Sequence, residues 1–421
     1  MPEDLETLGS MIGDATVVAV TEATHGAAEP LEFRNRLFQY LVEKKGFTAI
    51  AIESGLVEGR VVHDFVRGGP GTLDDVLANG ISWTFDRLPA NRDLIAWLRA
   101  YNADPSHHRK VDFYGFDVPG SPGNPEAKRH LDTALSAAFD YLARVDAVAE
   151  TSLRTRASSQ LKHLHFDTRS AEASGYASLS LTQRDALTAT VADLIALLER
   201  KEADYIAASS ANNFQWGYRA AIGARQADAW LRQIPVGWKR SDSNGTPTFF
   251  APALDSRDRA QADNLEWVIE QQGSSGKILV FAHAYHLSTA PIKASWNSAT
   301  DDSSQQPAGT YLKRRLGNRL FSIGNLVGAG EIEVEGFRSC AGGKKTLTRS
   351  PAHSFDGVLG EIDQSRFILD LRPAPPPVAT WLKQPQPVAL GSLAIELAIG
   401  RAYDALLYLG TVSPACSSSH R

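Results

Sequence analysis

The stretch ATVVAVTEATHG, residues 15–26, combines a buried-strand pattern with charged side chains that follow it directly. Ala15–Thr21 is rich in β-branched residues and carries no charge, as expected for a strand covered on both faces. Glu22–Gly26 then supplies a carboxylate and an imidazole. Because ligands of open α/β sheets bind at the carboxyl ends of the strands, this stretch predicts both a sheet and the edge where its chemistry lies.

The segments next to this stretch alternate between helical and strand patterns. Helices are predicted over Pro30–Lys45, which Gly46 ends, over Leu56–Val66 and over Pro89–Tyr101. A further helix is predicted to begin after Thr72, which can cap it. Strands are predicted over Phe47–Glu53 and Val111–Phe116. This alternation is typical of an α/β protein with a parallel sheet and helices on its faces.

The middle of the chain differs, because from about Pro125 to Gln233 the patterns are helical, as in Leu187–Tyr205 and Phe214–Leu231. A Gly- and Ser-rich loop is predicted over Val236–Pro252. Further on we predict a helix over Asn264–Gln272 and strands over Lys277–His283, Leu320–Leu326, Arg366–Leu371 and Ala405–Leu409. The predicted fold is α/β: a core of residues 1–124 and 235–421 has a mixed, largely parallel central sheet flanked by helices. A helical lobe, residues 125–234, is inserted, and the active-site cleft lies between core and lobe.

Composition excludes several classes of protein. The 48 acidic residues exceed the 43 Lys and Arg among 421 residues, which argues against binding of nucleic acid. Two cysteines cannot build a disulfide scaffold or a four-cysteine zinc site. The opening residues lack a signal-peptide pattern, and no apolar run approaches the roughly 20 residues that span a bilayer. We therefore expect a cytoplasmic protein that has no membrane partner.

Titratable side chains follow four of the predicted strands. Loops without a functional role would favour Gly, Asn and Ser at these positions, so this concentration of titratable residues is the main functional signal. The residues are Glu22, His25, Glu53, Asp117, His283 and His286.

Each of these residues has more than one interpretation. Glu22 and His25 are three residues apart, so the carboxylate could fix the imidazole tautomer and raise its basicity, or Glu22 or Thr24 could simply cap the next helix. Glu53 ends an apolar strand and needs a partner, for which Arg34, Arg36, His25 or a metal would serve. The pair His283 and His286 could bind a metal, donate hydrogen bonds to an oxyanion or pack in the core.

The order of motifs along the chain resembles that of the erythromycin esterase family, which includes macrolide esterases and succinoglycan-biosynthesis-like proteins. The resemblance extends from about residue 15 to about residue 330. Two family positions differ, since Ala284 replaces an Asn and Phe281 replaces a Trp. The matching segments are Thr21–Gly26, Glu29, Arg34, Phe38–Phe47, Ala51–Glu53, Asp64–Gly69, Leu94–Asn102, Ser256–Arg259, Asn264–Trp267 and Phe281–His286.

The resemblance implies hydrolysis of a macrolide lactone or related small-molecule ester by a histidine-activated water, without a covalent intermediate and without a cofactor. It implies that His25 is the general base and that Glu22 orients it. Glu53 and Arg34 would belong to the same cluster, and His283 and His286 would polarise the carbonyl or stabilise the oxyanion. Trp83, Phe85, Asp117 and Tyr285 are the expected substrate-binding residues.

Three alternatives stay open at this point. A divalent metal could use ligands from the same His and Glu cluster, although the guanidinium of Arg34 would repel a cation. The same scaffold could carry a biosynthetic enzyme that acts on a natural product by acyl transfer or elimination. A binder without catalytic activity is the third alternative.

Overall fold

The computed structural model describes residues 3–118, 130–162, 176–233, 251–294, 305–333, 343–390 and 393–416. The helices are α1 (Glu3–Ile12), α2 (Ala28–Lys45), α3 (Gly59–Val66), α4 (Leu73–Gly80), α5 (Pro89–Ala103), α6 (His130–Val145), α7 (Ala147–Leu161), α8 (Leu181–Arg200), α9 (Glu202–Ala208), α10 (Ala211–Gln233), α11 (Ala251–Gln271), α12 (Ala284–Leu287), α13 (Ala308–Leu316), α14 (Phe355–Leu359), α15 (Pro376–Leu382) and α16 (Ile399–Ala402). The strands are β1 (Val17–Glu22), β2 (Ala49–Gly55), β3 (Asp112–Asp117), β4 (Ile278–His283), β5 (Lys293–Ala294), β6 (Leu320–Glu333), β7 (Lys344–Leu347), β8 (Arg366–Asp370), β9 (Gln386–Leu390), β10 (Leu393–Leu397) and β11 (Ala405–Val412).

The central sheet is mixed and mostly parallel, so the predicted fold class is confirmed. Its strand order is β3-β2-β4-β1-β6-β11-β8, and β7 pairs with β6. The six strands from β3 to β11 in this order run parallel, whereas β8 and β7 are antiparallel to their neighbours. Strands β5, β10 and β9 form a separate small sheet. Every residue of β1, β2, β3 and β4 is buried, because helices cover both faces of a parallel sheet.

Local signals in the sequence predicted the elements of the first third well. Helix α2 ends at Gly46, which has a left-handed φ of 71°, and Thr72 caps α4 by accepting a hydrogen bond from the Asp75 N–H at 3.2 Å. Two elements are much longer than predicted. The helix expected over Asn264–Gln272 begins already at Ala251, and the strand that begins at Leu320 continues to Glu333.

The described residues between 130 and 233 are helical and have an apolar core of their own. The single helix expected over Leu187–Tyr205 is two helices, which meet at Lys201. The boundaries of the inserted lobe stay a prediction. The loop expected over Val236–Pro252 lies outside the described residues, except that its last two residues begin α11. Among all the residues that the structure describes, no helix is both long and apolar enough to cross a membrane. The core of this helical region includes Leu135, Phe139, Leu142, Leu187, Val191, Leu194, Leu198 and Phe214.

An irregularity at the end of β2 brings two backbones very close together. The pairing register between β2 and β3 shifts between Ile52 and Gly55. Opposite the shift lies Gly115, where an added Cβ would be 2.3 Å from the Gly55 carbonyl oxygen and 2.5 Å from that of Ser54. Only glycine fits such a close approach, and bulges of this kind re-aim side chains at the ends of strands.

We expect Gly115→Ala to destabilise the protein by about 3 kcal/mol, because the new methyl group must push two carbonyl groups aside. Gly46→Ala is the control: its φ of 71° is left-handed and disfavours alanine, but no atom lies within 4 Å of the added Cβ. That control should cost only about 1 kcal/mol. Urea denaturation measures both, and equal losses in the two variants would show that the close approach does not constrain the sheet.

Candidate active site

Four parallel strands end side by side and bring their last residues to one edge of the sheet. Strands β3, β2, β4 and β1 are consecutive neighbours. Glu22 at the end of β1 pairs in register with His283 at the end of β4. Glu53 lies near the end of β2, and Asp117 is the last residue of β3. The sheet thus gathers residues that are up to 261 positions apart, from Glu22 to His283, at one site.

Glu22 holds the imidazole of His25. The distance between His25 Nδ1 and Glu22 Oε1 is 2.7 Å, and the His25 side chain is 33% exposed whereas that of Glu22 is buried. The His25 ring lies close to those of Phe85 and His283, with centroid distances of 5.1 and 4.9 Å. The alternative that Glu22 or Thr24 caps the next helix is not observed, because Ala27 occupies the cap position of α2 without any side-chain hydrogen bond.

The electrostatic surroundings favour protonation of His25. Burial favours the neutral ring, but the charge of Glu22, its hydrogen bond and the charge of Glu53 together outweigh it. They raise the pKa of His25 above its ordinary value of 6.5. An imidazole in this setting accepts a proton readily near neutral pH.

The carboxylate of Glu53 is buried and its oxygens are occupied. Oε2 accepts a hydrogen bond from the His283 backbone N–H at 2.9 Å, and Oε1 lies 2.9 Å from Arg257 Nη2 and 3.4 Å from His286 Nε2. Burial raises the pKa of Glu53, but His286, His25 and Arg257 together hold it well below its ordinary value. Of the sequence-based candidates, His25 acts on Glu53 through its charge, and the ion pairs that the described residues show for Glu53 are with Arg257 and His286.

The pKa values of the two histidines of the predicted pair are shifted in opposite directions. His286 Nδ1 lies 2.9 Å from Asp258 Oδ1; burial opposes protonation, yet Asp258 and Glu53 raise the pKa of His286 to about 9. Burial and the nearby His25 instead lower the pKa of His283 to about 3. Its Nδ1 accepts a hydrogen bond from the Tyr285 backbone N–H at 3.2 Å. A main-chain group therefore orients this ring although Ala284 offers no side-chain amide.

Arg34 is a buried cation on the same side of the sheet. Its Nε and Nη2 donate to Asn35 Oδ1 at 3.0 and 2.8 Å, and its guanidinium lies 4.8 Å from the ring centroid of Phe281. Burial lowers the pKa of Arg34 to about 10, although Glu22 opposes that shift. Among the described residues no carboxylate forms an ion pair with Arg34, so its charge faces the site.

Asp117 is fully buried and holds Arg257. Its Oδ1 accepts hydrogen bonds from Arg257 Nε and Gln261 Nε2, each at 3.0 Å, and its Oδ2 accepts one from Trp83 Nε1 at 2.9 Å. The expectation that Asp117 binds substrate stays a prediction, but its oxygens already serve three other side chains. Arg257 also lies over the Trp83 ring, 5.3 Å from the centroid.

The other expected substrate-binding residues occupy different places. Trp83 is partly exposed, and both it and Thr84 have left-handed backbones with φ of 62° and 68°. Phe85 lies against His25. Tyr285 is buried, with its ring edge-on to that of His286 at a centroid distance of 5.8 Å.

Sequence reasoning assigned no role to Arg257, Asp258 or Gln261, all on α11. A run such as Ser256–Arg259 inside a helix ordinarily indicates a solvated face, and burial of such charges depends on the tertiary structure. The family resemblance over this run was the only signal in the sequence.

A small cavity lies beside His25. It has room for about one water molecule. Its walls combine the Glu22 and His25 pair, the Arg34 cation and a largely apolar remainder. The lining residues are Glu22, His25, Gly26, Leu31, Arg34, Ile52, Glu53, Phe85, Leu88, Asn91 and Phe281.

The donor set fits a metal ion poorly. Within the ranges that the structure describes, no three His, Cys, Asp or Glu side chains are arranged to hold one. The reason is that Glu53 is bound by cations and His286 Nδ1 is bound by Asp258. Arg34 and Arg257 add two further positive charges to the same region.

Comparison with known proteins identifies several relatives. The sequence model described as erythromycin esterase matches residues 42–412. Erythromycin esterase type II of Escherichia coli is 24% identical over 323 residues, 76% of this chain and 71% of that protein. Erythromycin esterase type I of the same organism is 28% identical over 120 residues, 28% of each chain.

Solved structures share the fold over almost the whole chain. A Bacillus cereus protein has a TM-score of 0.76 at 25% identity, covering 100% of this chain and 94% of its own. A succinoglycan biosynthesis protein has a TM-score of 0.72 at 22% identity, with coverage of 98% and 92%. An erythromycin esterase mutant in its open conformation has a TM-score of 0.70 at 16% identity, with coverage of 97% and 93%.

The protonated state of His286 predicts a pH dependence of stability. Its pKa in the folded protein, about 9, exceeds the ordinary value of 6.5, so its contribution is complete below pH 6.5 and disappears as the pH rises through 9. We expect the free energy of unfolding to fall across this interval, with a shallower slope in His286→Gln. Urea denaturation at a series of pH values tests this, and identical slopes in the two proteins would contradict it.

Proposed function

The chain belongs to the erythromycin esterase family, and from this premise we propose that it is a carboxylic ester hydrolase. Its substrate would be a macrolide lactone or a related ester. In this proposal a water activated by His25 attacks the carbonyl carbon directly, no covalent intermediate forms and no cofactor takes part.

The observation that carries the proposal is the 2.7 Å contact between His25 Nδ1 and Glu22 on the wall of a small cavity. The Glu22 contact holds the proton of the neutral ring on Nδ1, so Nε2 is the nitrogen that takes a proton from water. The raised pKa of His25 suits a general base that works near neutral pH. The partial exposure of His25 lets a substrate approach it.

Ester cleavage also requires stabilisation of the negative oxygen that develops on the carbonyl group. Arg34 suits this role, because its guanidinium lines the same cavity as His25 and forms no ion pair among the described residues. His286 is protonated and adds positive charge to this edge of the sheet. His283 is neutral, and we propose that it supports the His25 ring and helps to polarise the carbonyl, as the family resemblance implies.

The proposed reaction balances in two steps. In the first step the water gives a proton to His25 Nε2 while its oxygen bonds to the carbonyl carbon and the carbonyl electrons move to oxygen. In the second step the carbon–alkoxy bond breaks, and the imidazolium of His25 returns the proton to the leaving alkoxide. The products are a carboxylic acid and an alcohol, which stay joined when the substrate is a lactone.

We expect His25→Gln to lower kcat by about 10²- to 10⁴-fold, because the general base is lost. The melting temperature should stay close to that of the wild type, since His25 is partly exposed. The assay incubates the protein with erythromycin, other macrocyclic lactones and simple esters, and detects the gain of one water by mass spectrometry. His107→Gln is the control, because that ring stacks on Tyr101 at a centroid distance of 3.8 Å, outside the site. Unchanged turnover in His25→Gln would contradict the proposed role.

Isotope labelling and chelation separate this proposal from the alternatives. In H₂¹⁸O the acid product should gain one ¹⁸O atom, and activity should survive exhaustive treatment with a chelator. A product without label would indicate elimination or acyl transfer to another acceptor. Loss of activity that returns with added Zn²⁺ or Mg²⁺ would indicate a metal-dependent hydrolase.

A further inference from the structure

Asn91 is a buried amide on the cavity wall that the mechanism above does not use. It lies in the first turn of α5 and is 2% exposed. Its Nδ2 donates to the Phe85 carbonyl oxygen at 2.9 Å, whereas Oδ1 has no hydrogen-bond partner among the described residues. An unpaired buried acceptor costs roughly 1–3 kcal/mol. Since Asn91 lines the cavity, a group bound there can supply the missing partner.

The orientation of this amide decides what kind of partner it takes. Rotating the amide by a half turn would place Oδ1 against the Phe85 carbonyl oxygen, which is also an acceptor. The hydrogen bond to Phe85 therefore fixes Nδ2 on that side and Oδ1 on the other. The group that Asn91 offers to the cavity is an acceptor, and its partner must donate a hydrogen. A carbonyl or a carboxylate of a substrate does not meet this requirement.

The cavity also limits the size of the partner. It has room for about one water molecule, and its polar walls include His25 and Arg34 as well as Asn91. Buried waters bind at sites that are polar and offer them two to four partners. A water molecule meets both requirements, because it donates hydrogens and matches this space.

We propose that this cavity holds the attacking water and that Asn91 Oδ1 accepts one of its two hydrogens. The inference rests on the proposed function. His25 Nε2 accepts the other hydrogen, and that O–H bond breaks as the water oxygen bonds to the carbonyl carbon. The hydrogen held by Asn91 stays on the attacking oxygen and becomes the hydroxyl hydrogen of the acid. Asn91 thus orients a lone pair of the water toward the substrate.

The first test is a crystal structure of the ligand-free wild-type protein at a resolution that shows ordered water. We expect a water within about 3.2 Å of both Asn91 Oδ1 and His25 Nε2. A dry cavity, or a water that contacts His25 but not Asn91, would overturn the inference. This experiment needs neither a substrate nor a folded variant.

The second test compares Asn91→Leu with the wild type on whichever ester the wild type hydrolyses. Loss of the acceptor should lower kcat by roughly 10- to 100-fold at unchanged KM, because the water is no longer held with a lone pair directed at the carbonyl carbon. A raised KM at unchanged kcat would show that Asn91 contacts the substrate instead, and unchanged kinetics would show that it has no such role. Either result overturns the inference.

Asn102→Leu is the matched control, because Asn102 lies on the same helix and is also buried. Its Nδ2 donates to the Val66 and Val111 carbonyl oxygens at 2.9 and 2.8 Å, and its Oδ1 accepts from the Val111 N–H at 2.8 Å. We expect this variant to lower the melting temperature but to keep the kcat of the wild type. If the wild type hydrolyses no ester, the proposed function fails and the attacking role of the water fails with it; the crystal structure then still decides whether Asn91 Oδ1 and His25 Nε2 bind a water.

Discussion

Burial of the Glu53 carboxylate is the constraint on which the rest of the site depends. An unpaired buried carboxylate would shift its pKa upward and become neutral, or destabilise the fold. Here it belongs to a charge network in which carboxylates and cations alternate: Asp258, His286, Glu53, Arg257 and Asp117. The network joins the ends of β2 and β3 to α11 and α12. The helix that crosses this edge of the sheet is thereby fixed by charge as well as by apolar packing.

The charge network also determines which groups remain available for chemistry. Arg257 and His286 contact the Glu53 carboxylate, which acts on His25 through its charge, whereas Glu22 contacts the His25 ring directly. Arg34 lines the same cavity as His25 and has no ion pair among the described residues. Two histidines three residues apart therefore differ in pKa: His286 lies between two carboxylates that raise its pKa, whereas burial and the nearby His25 lower that of His283. Arrangements that push the pKa values of neighbouring groups apart are typical of functional sites.

The sequence predicted what depends on neighbouring residues and missed what depends on the tertiary structure. Periodicity, Gly46 and Thr72 located the helices and strands of the first third, and the polar residues after each strand indicated the edge where chemistry would lie. The strand order, which makes Glu22 a neighbour of His283, cannot be read from periodicity. The sequence did not indicate the roles of Arg257 and Asp258, because a charged run in a helix has the pattern of a solvated face. The unpaired oxygen of Asn91 is likewise visible only once the Phe85 carbonyl has fixed the amide.

The turn at Trp83 and Thr84 connects the cavity wall at Phe85 to the charge network. Left-handed backbone costs a residue other than glycine roughly 1–2 kcal/mol, and Trp83 and Thr84 adopt it in succession. The Trp83 indole is held by its hydrogen bond to Asp117 and by its contact with the Arg257 guanidinium, and these contacts offset the strain. The strained turn directs Phe85 against His25 and places its carbonyl where it fixes Asn91. A change in this turn would therefore alter both the cavity wall at Phe85 and the surroundings of His25 and Asn91.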